Sequence, residues 1–223
     1  MTENIFIPNC ITPELAEEIG WHIGDGSMNF YKNKGKLKGI YKLRGHIKDD
    51  KEHYLIRIKP VFKILYNFDL NLREMPSTRV FGFQLWSNKL VNFKVKLGLP
   101  LGKKFKIVIP PSFLENKELK IAVVRGLFDT DGGIQLAKRY GKLYPIIYID
   151  TISYELNLQL LEIFKEIGLR ATSYPILDSR GNRQNLYKIN IRGNEMFDKF
   201  MEIIKPANPK HNSKYSRFKE SFK

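Results

Sequence analysis

Val124-Arg125-Gly126-Leu127-Phe128-Asp129-Thr130-Asp131-Gly132 carries small residues at helical spacing and ends on an acid followed by glycine. With Ala122 before it, Gly126 and Thr130 recur every four residues. They therefore line one face of a helix, and small side chains there let a second backbone approach closely. The same design stands earlier in Ile19-Gly20-Trp21-His22-Ile23-Gly24-Asp25-Gly26-Ser27, with Ala16, Gly20 and Gly24 as the stripe. Residues 122 and 16, 126 and 20, 130 and 24, and 131 and 25 are each 106 apart. Gly193-Asn194-Glu195-Met196 follows Ser87-Asn88-Lys89-Leu90 by the same 106. A constant offset across stripe, stop and acid is an internal duplication.

Working outward, Thr12-Pro13-Glu14 supplies an N-cap oxygen, a proline suited to the first turn and an acid at the positive helix end. A helix runs from there to Gly24, and Asn116 caps its counterpart. In the first half the pattern predicts a strand over 38–47, a helix over 50–66, a hairpin over 72–86 and a helix over 88–97. In the second half it predicts a strand over 143–151 and a helix over 154–167. A hairpin from 171–177 and 187–192 turns at Ser179-Arg180-Gly181-Asn182, and a helix follows over 194–204. The proline- and glycine-bearing stretch 99–112 links two halves, 1–105 and 106–223. Tyr31-Lys32-Asn33-Lys34-Gly35-Lys36 reads as a basic, flexible loop.

The chain has 223 residues, 43% of them hydrophobic, enough for a core without staples. Its single cysteine, Cys10, excludes an internal disulfide framework and reads as a small semi-buried side chain. No apolar run is long enough to span a bilayer, and the N-terminus lacks a charged segment followed by an apolar one, so a soluble, unexported chain is expected. The formal charge is +15, from 38 Lys and Arg against 23 Asp and Glu. Such a surface attracts polyanions, nucleic acid first among them.

Alternation places Lys38, Ile40, Lys42, Arg44 and His46 on one strand face and Tyr41, Leu43 and Ile47 on the other. Lys188, Asn190 and Arg192 share a face in the late strand of the second half. A twisted ribbon bearing such groups fits a DNA groove, where phosphates supply affinity and a few side chains reach base edges. The candidate DNA-binding set adds Lys32, Lys34, Lys36, Lys48, Arg79, Gln135, Lys138, Arg139, Arg180 and Arg183. Asp25 and Asp131 each end a small-residue helix, against the negative end of its dipole. If the helices pack along their stripes, the two carboxylates meet, and that demands a cation or a shared proton. Oxygen ligands without Cys or His favour Mg²⁺ over zinc. The candidate metal set is Asp25 and Asp131 with the adjoining Gly24 and Thr130. Asp129 reads as structural or secondary, and Trp21 and His22 as packed helix residues.

The two motif stretches resemble the LAGLIDADG signature and its common first-copy form. His46 to Glu52, Gly98 to Lys104 and Asn208-Pro209-Lys210-His211 resemble further features of two-motif members of the LAGLIDADG homing endonuclease family. That resemblance implies an α/β, pseudo-twofold monomer of two αββαββα-like halves, with saddle-shaped antiparallel sheets in the DNA major groove. It implies two or three divalent ions, Mg²⁺ by expectation, between the motif acids Asp25 and Asp131, and four-nucleotide 3′ overhangs at a long site. The family usually adds a basic or polar residue per site; Lys188, Asn190 and Gln84 are the candidates here, with His46 and Lys48 beside them. Gln84 and Asn190 would leave a less basic pocket.

Two rival readings use the same scaffold: a maturase that binds intron RNA, and a non-catalytic DNA-binding protein. Both acids being present argues for the nuclease. His211-Asn212-Ser213 resembles the end of a protein-splicing block, but no N-terminal Cys or Ser begins one, so the chain reads as free-standing and intron-encoded. A cytoplasmic location with access to a nucleoid is expected, or an organellar one.

Overall fold

A computed structural model describes residues 5–33, 35–139, 141–177 and 185–222, with the backbone alone at Asn33 and Arg139. Lys34, Arg180, Arg183 and the 179–182 turn lie outside the described residues. The first half runs α1 (Pro13–Asp25), β1 (Gly26–Asn33), β2 (Lys36–His46), a long helix, β3 (Arg73–Met75), β4 (Val80–Trp86) and α4 (Asn88–Lys96). The long helix comprises α2 (Lys51–His53), a π segment (Tyr54–Ile58) and α3 (Lys59–Tyr66). Pro60 cannot donate an i to i−4 bond, and the Lys59 N–H reaches back to the Tyr54 carbonyl instead, widening the helix just before it. The second half repeats the order: α5 (Lys117–Asp131), β5 (Gly132–Arg139), β6 (Lys142–Thr151), α6 (Tyr154–Glu166), β7 (Ala171–Ile176), β8 (Leu186–Arg192) and α7 (Asn194–Ile204). α8 (Pro209–Glu220) ends the chain.

Both sheets are four-stranded and antiparallel, ordered β1-β2-β4-β3 and β5-β6-β8-β7. The architecture is the duplicated α/β one expected, and the offset of 106 carries β1 onto β5 and β4 onto β8 residue for residue. The helix caps are as read: Thr12 Oγ1 accepts from Leu15 N at 3.2 Å, and Asn116 Oδ1 from Leu119 N at 2.9 Å.

Several residue-level expectations need correction. Tyr31 to Asn33 belong to β1 and Lys36 to β2, which pair in register through Asn33 and Lys36. The strand is disguised by its Asn and Lys content, yet it alternates: Met28 is buried while Ser27 and Tyr31 are exposed. Lys32 pairs with Leu37 and points away from the face that carries Lys38, and in the second sheet Lys138 pairs with Leu143 and points away from the face that carries Lys188. Ile40 is buried even though it shares the basic face, flanked in register by Asn29 and Trp86. Cys10 is exposed rather than semi-buried. His211-Asn212-Ser213 lies in α8, where the buried His211 ring packs on Phe128 at 4.2 Å between centroids.

α1 and α5 form the seam between the halves. A Cβ on Gly20 would overlap the Val123 carbonyl oxygen, one on Gly126 the Glu17 carbonyl oxygen, and one on Gly24 the Thr130 hydroxyl. The stripes therefore bring backbone against backbone. Gly126→Leu is expected to destabilise the protein by about 3 kcal/mol or more, through overpacking against main chain that cannot yield. Urea denaturation measures this, and an unchanged midpoint would contradict the seam.

Candidate nuclease centre and DNA-binding saddles

The seam delivers Asp25 and Asp131 side by side at its C-terminal end. A Cβ on Gly24 would overlap the Thr130 hydroxyl and stand 3.3 Å from Asp131 Cγ, so glycine at 24 lets the two helix ends come close. Asp25 is half-buried and its Oδ2 has no hydrogen-bond partner. Burial, then the nearby Asp131, pushes the Asp25 carboxyl up to about 8. Asp131 is reached by solvent at the mouth of the cleft, but protein fills most of the volume around it, and that desolvation raises its carboxyl too, against the opposing pull of Lys104 and Lys210. Two adjacent acids with an unpartnered buried oxygen suit a divalent cation. Among the described residues no cluster of three or more His, Cys, Asp or Glu side chains could hold a metal, so any ion here depends on two carboxylates with backbone or water oxygens. Thr130 Oγ1 donates its one proton between Gly126 O and Leu127 O, at 3.1 and 3.0 Å.

Sequence reasoning missed Lys104. Its Nζ donates to the last carbonyls of α1: His22 O at 3.1 Å, Ile23 O at 2.7 Å and Gly24 O. It thus neutralises the negative helix end on which Asp25 sits. Burial lowers its pKa, opposed by Asp131 and Asp25. Lys104 also lines a cleft of about 190 Å³ with Gly24, Asp131 and Asp150. The signal was present: Lys210 follows Lys104 by 106 residues, and both close stretches that resemble family features. The second lysine is diverted, its Nζ 2.8 Å from Asp50 Oδ1. The end of α5 is served by other groups. Asn208 Nδ2 donates to Asp129 O at 2.9 Å, and the His211 ring lies 3.1 Å from Phe128 O. Asp129 itself is buried and accepts from Ala207 N and Asn208 N at 2.9 and 3.0 Å, which makes it the structural residue expected. Trp21 and His22 are buried in the core, with His22 stacked on Tyr41 at 5.5 Å.

Beyond the acids, each sheet turns one face outward. In the first, Lys36, Lys38, Lys42 and Arg44 share that face with Gln84, whose Oε1 accepts from Arg44 at 3.0 Å. His46 ends β2, its Nδ1 3.0 Å from Asp49 Oδ2. Lys48 is exposed in the following turn, and Arg79 is exposed at the β3–β4 turn in a left-handed conformation. In the second, Gln135, Lys188, Asn190 and Arg192 line one concavity of about 570 Å³. That concavity also holds Tyr148, Asp150, Tyr174 and Lys214, which sequence reasoning did not place there. Lys188 Nζ is 3.3 Å from Asp150 Oδ2, and Asn190 is buried.

The comparisons define the class. Residues 118–205 match the family described as LAGLIDADG-like domain. The fold matches I-DmoI in complex with DNA and Mn at a TM-score of 0.62 and 18% identity, covering 86% of this chain and 96% of that one. It matches I-GzeII in complex with a DNA target at 13% identity over 94% of this chain and 88% of that one. The match thus covers the second half, and the whole chain, with two sheets in one polypeptide, shares the fold of LAGLIDADG endonucleases of known structure. Its curated relatives are of another kind. A DNA polymerase of Methanocaldococcus jannaschii is 22% identical over 78% of this chain and 10% of that protein. A replication factor C small subunit of the same organism is 28% identical over 88% and 10%. A glutamine–fructose-6-phosphate aminotransferase from it is 26% identical over 91% and 17%. The chain thus spans between a tenth and a sixth of their length. Among the described residues no helix is long and apolar enough to cross a membrane.

The buried acids give a pH signature for EDTA-treated protein. Asp25 titrates near 8 and Asp129 near 7 when folded, both raised chiefly by burial from 3.8. The native state therefore holds protons that the unfolded chain has released, and stability falls as pH rises from about 4 to about 8. Buried His22, His53 and His211 act oppositely: all are held neutral, His53 down to about 3, so stability rises towards pH 6.5. Above 6.5 the imidazoles are neutral in both states and the raised carboxylates still have to ionise, while the lowered Lys94 and Lys104 oppose them only as pH approaches their own range. The melting temperature is expected to fall between pH 6.5 and about 8.5, and Asp25→Asn to flatten that fall. A rising wild-type curve would refute the assignment.

Proposed function

We propose that the chain is a site-specific double-strand DNA endonuclease of the homing type. The observation that carries this reading is the pairing of Asp25 and Asp131 at one end of the glycine seam, with Asp25 Oδ2 unpartnered. The basic face of the first sheet and the polar concavity of the second supply a surface for DNA, and the fold is one that other proteins present to DNA. The three curated relatives bear different names, yet each matches most of this chain over only a small part of its own length. That supports a self-contained module whose chemistry is none of theirs.

In this reading Asp25 and Asp131, with the carbonyls of Gly24 and Thr130, hold two or three Mg²⁺ ions. When bound, these activate water and stabilise the leaving 3′ oxygen. Lys104 holds the end of α1 and offsets the charge of the two acids. Gln84 with Arg44, and Lys188 with Asn190, flank the scissile region from either sheet. The product carries four-nucleotide 3′ overhangs, and one chain suffices because both acids lie in it.

Cleavage of a randomised long-duplex library with Mg²⁺, with EDTA as control and every cut end sequenced, tests the reading. Recurrent staggered ends at one long site are expected. Asp25→Asn and Asp131→Asn should keep DNA binding and slow cutting by about 10²-fold or more. Lys104→Met should slow cutting with binding retained. Unchanged cutting by both Asn variants would remove the metal site. Tight duplex binding without cut ends would identify a non-catalytic DNA-binding protein, and intron-RNA binding in its place a maturase.

A further inference from the structure

The linker that carries Lys104 to the end of α1 also builds a second surface beside the acids. Lys104 and Ile107 line the cleft that holds Asp131, while Phe105 and Lys106, between them, line a groove of about 440 Å³ together with Ile152, Tyr154 and Tyr187. Ile152 lines both, and Leu186 of the cleft precedes Tyr187 of the groove in β8, so cleft and groove adjoin.

The groove is held in shape. Ser153, buried at the start of α6, donates to Ile107 O at 2.7 Å, and Gln159 exchanges two hydrogen bonds with the backbone of Ile109, at 2.8 and 3.1 Å. These bonds pin the linker against α6. Phe105 and Tyr154 nevertheless stay 39% and 51% exposed, and the Tyr154 and Tyr187 rings stand 5.3 Å apart. Apolar surface left in water is unfavourable, and where polar groups rim it, it marks a binding surface. The rim here is cationic on balance. Lys103 Nζ stands over the Phe105 ring at 5.3 Å and Lys106 lines the groove, against one acid, Glu155, whose Oε2 lies 3.3 Å from the Ser153 hydroxyl.

Duplication did not copy this surface. The positions 106 before Ile152, Tyr154 and Tyr187 hold His46, Lys48 and Phe81, and Phe81 is buried. The position 106 after Phe105 holds His211, buried in α8. Among the described residues the aromatic groove therefore stands on one side of the acid pair.

Resting on the endonuclease reading, we propose that this groove takes the unpaired bases of a single-stranded 3′ DNA end, the kind of end that cutting creates beside Asp131. Aromatic rings with cations at the rim are what a single strand engages, since its bases stack on the rings and its phosphates meet the lysines. A base pair inside intact duplex is stacked on both sides and has no face to offer. The groove thus distinguishes cut DNA from uncut, and, being single, holds one of the two ends.

The test uses the full chain with Ca²⁺ in place of Mg²⁺ and a DNA hairpin ending in four unpaired 3′ nucleotides, one of them 2-aminopurine. The same hairpin with a blunt end, with four abasic residues and with four ribonucleotides serves for comparison. The base-bearing DNA end should bind about tenfold more tightly than the blunt or abasic one, with its fluorescence quenched. Phe105→Ser with Tyr154→Ser should erase that difference and leave the blunt hairpin's affinity unchanged; both rings are exposed, so the fold survives the change. Lys106→Gln should lower the salt slope of overhang binding by about 0.7. Equal affinity for blunt, abasic and base-bearing ends overturns the proposal, as does a preference for the ribonucleotide end. Cutting of the duplex library is scored alongside. Cutting without overhang preference removes the groove alone, whereas no cutting by the wild-type chain removes the endonuclease reading, and with it the source of the overhang.

Discussion

Everything in this fold hangs on how closely α1 approaches α5. Gly20 and Gly126 place main chain against main chain, and Gly24 leaves room for Asp131. Wider separation would leave each acid alone at a helix end, where it is merely unfavourable. At this separation Asp131 adds to burial in raising the proton affinity of Asp25, so the paired site favours a shared proton or a cation. The same packing forces the sheets apart to either side, because each motif helix runs directly into the first strand of its own sheet at Gly26 and Gly132. Centre and saddles are thus consequences of one contact.

Duplication preserved that contact and released much else. The first half buries Glu18 with Lys94, joined by the Tyr41 hydroxyl, which donates to Glu18 at 2.9 Å. The residues 106 later are Val124, Phe200 and Ile147, all apolar and buried. A buried ion pair and an apolar cluster of similar volume are close alternatives energetically, since desolvation offsets most of the Coulomb gain. The core could therefore drift between them. The stripe could not, because a Cβ at 20 or 126 meets backbone that has nowhere to move.

This difference also explains what sequence alone made legible. The stripes, the acids, the caps and the common offset are fixed by local geometry, so they stand in the sequence at constant spacing. β1 was hidden because its outward positions carry Ser, Asn and Tyr next to a Lys- and Gly-rich turn, a composition that reads as loop. Lys104 was hidden for another reason: its role depends on a linker folding back more than seventy residues to the end of α1, a contact no periodicity records. Lys32 and Lys138, grouped with the candidate DNA-binding residues, stand on the strand faces opposite Lys38 and Lys188, since alternate residues of a strand face opposite ways and composition is blind to parity.

The offset also locates where the two sides of the acid pair differ electrostatically. At residue 44 an arginine donates to Gln84, while at residue 150 an aspartate takes its place, with Lys188 beside it and its Oδ1 unpartnered. Asp150 raises the Asp131 carboxyl, and no such acid occupies the corresponding place beside Asp25. Lys104 compensates from the linker, close to both acids, whereas its counterpart Lys210 is held by Asp50. The pseudo-twofold axis therefore relates two backbones but not two potentials. A cation or a phosphate that approaches the centre meets a positive wall on the first-half side and a mixed one on the second, set by substitutions that left the glycine seam untouched.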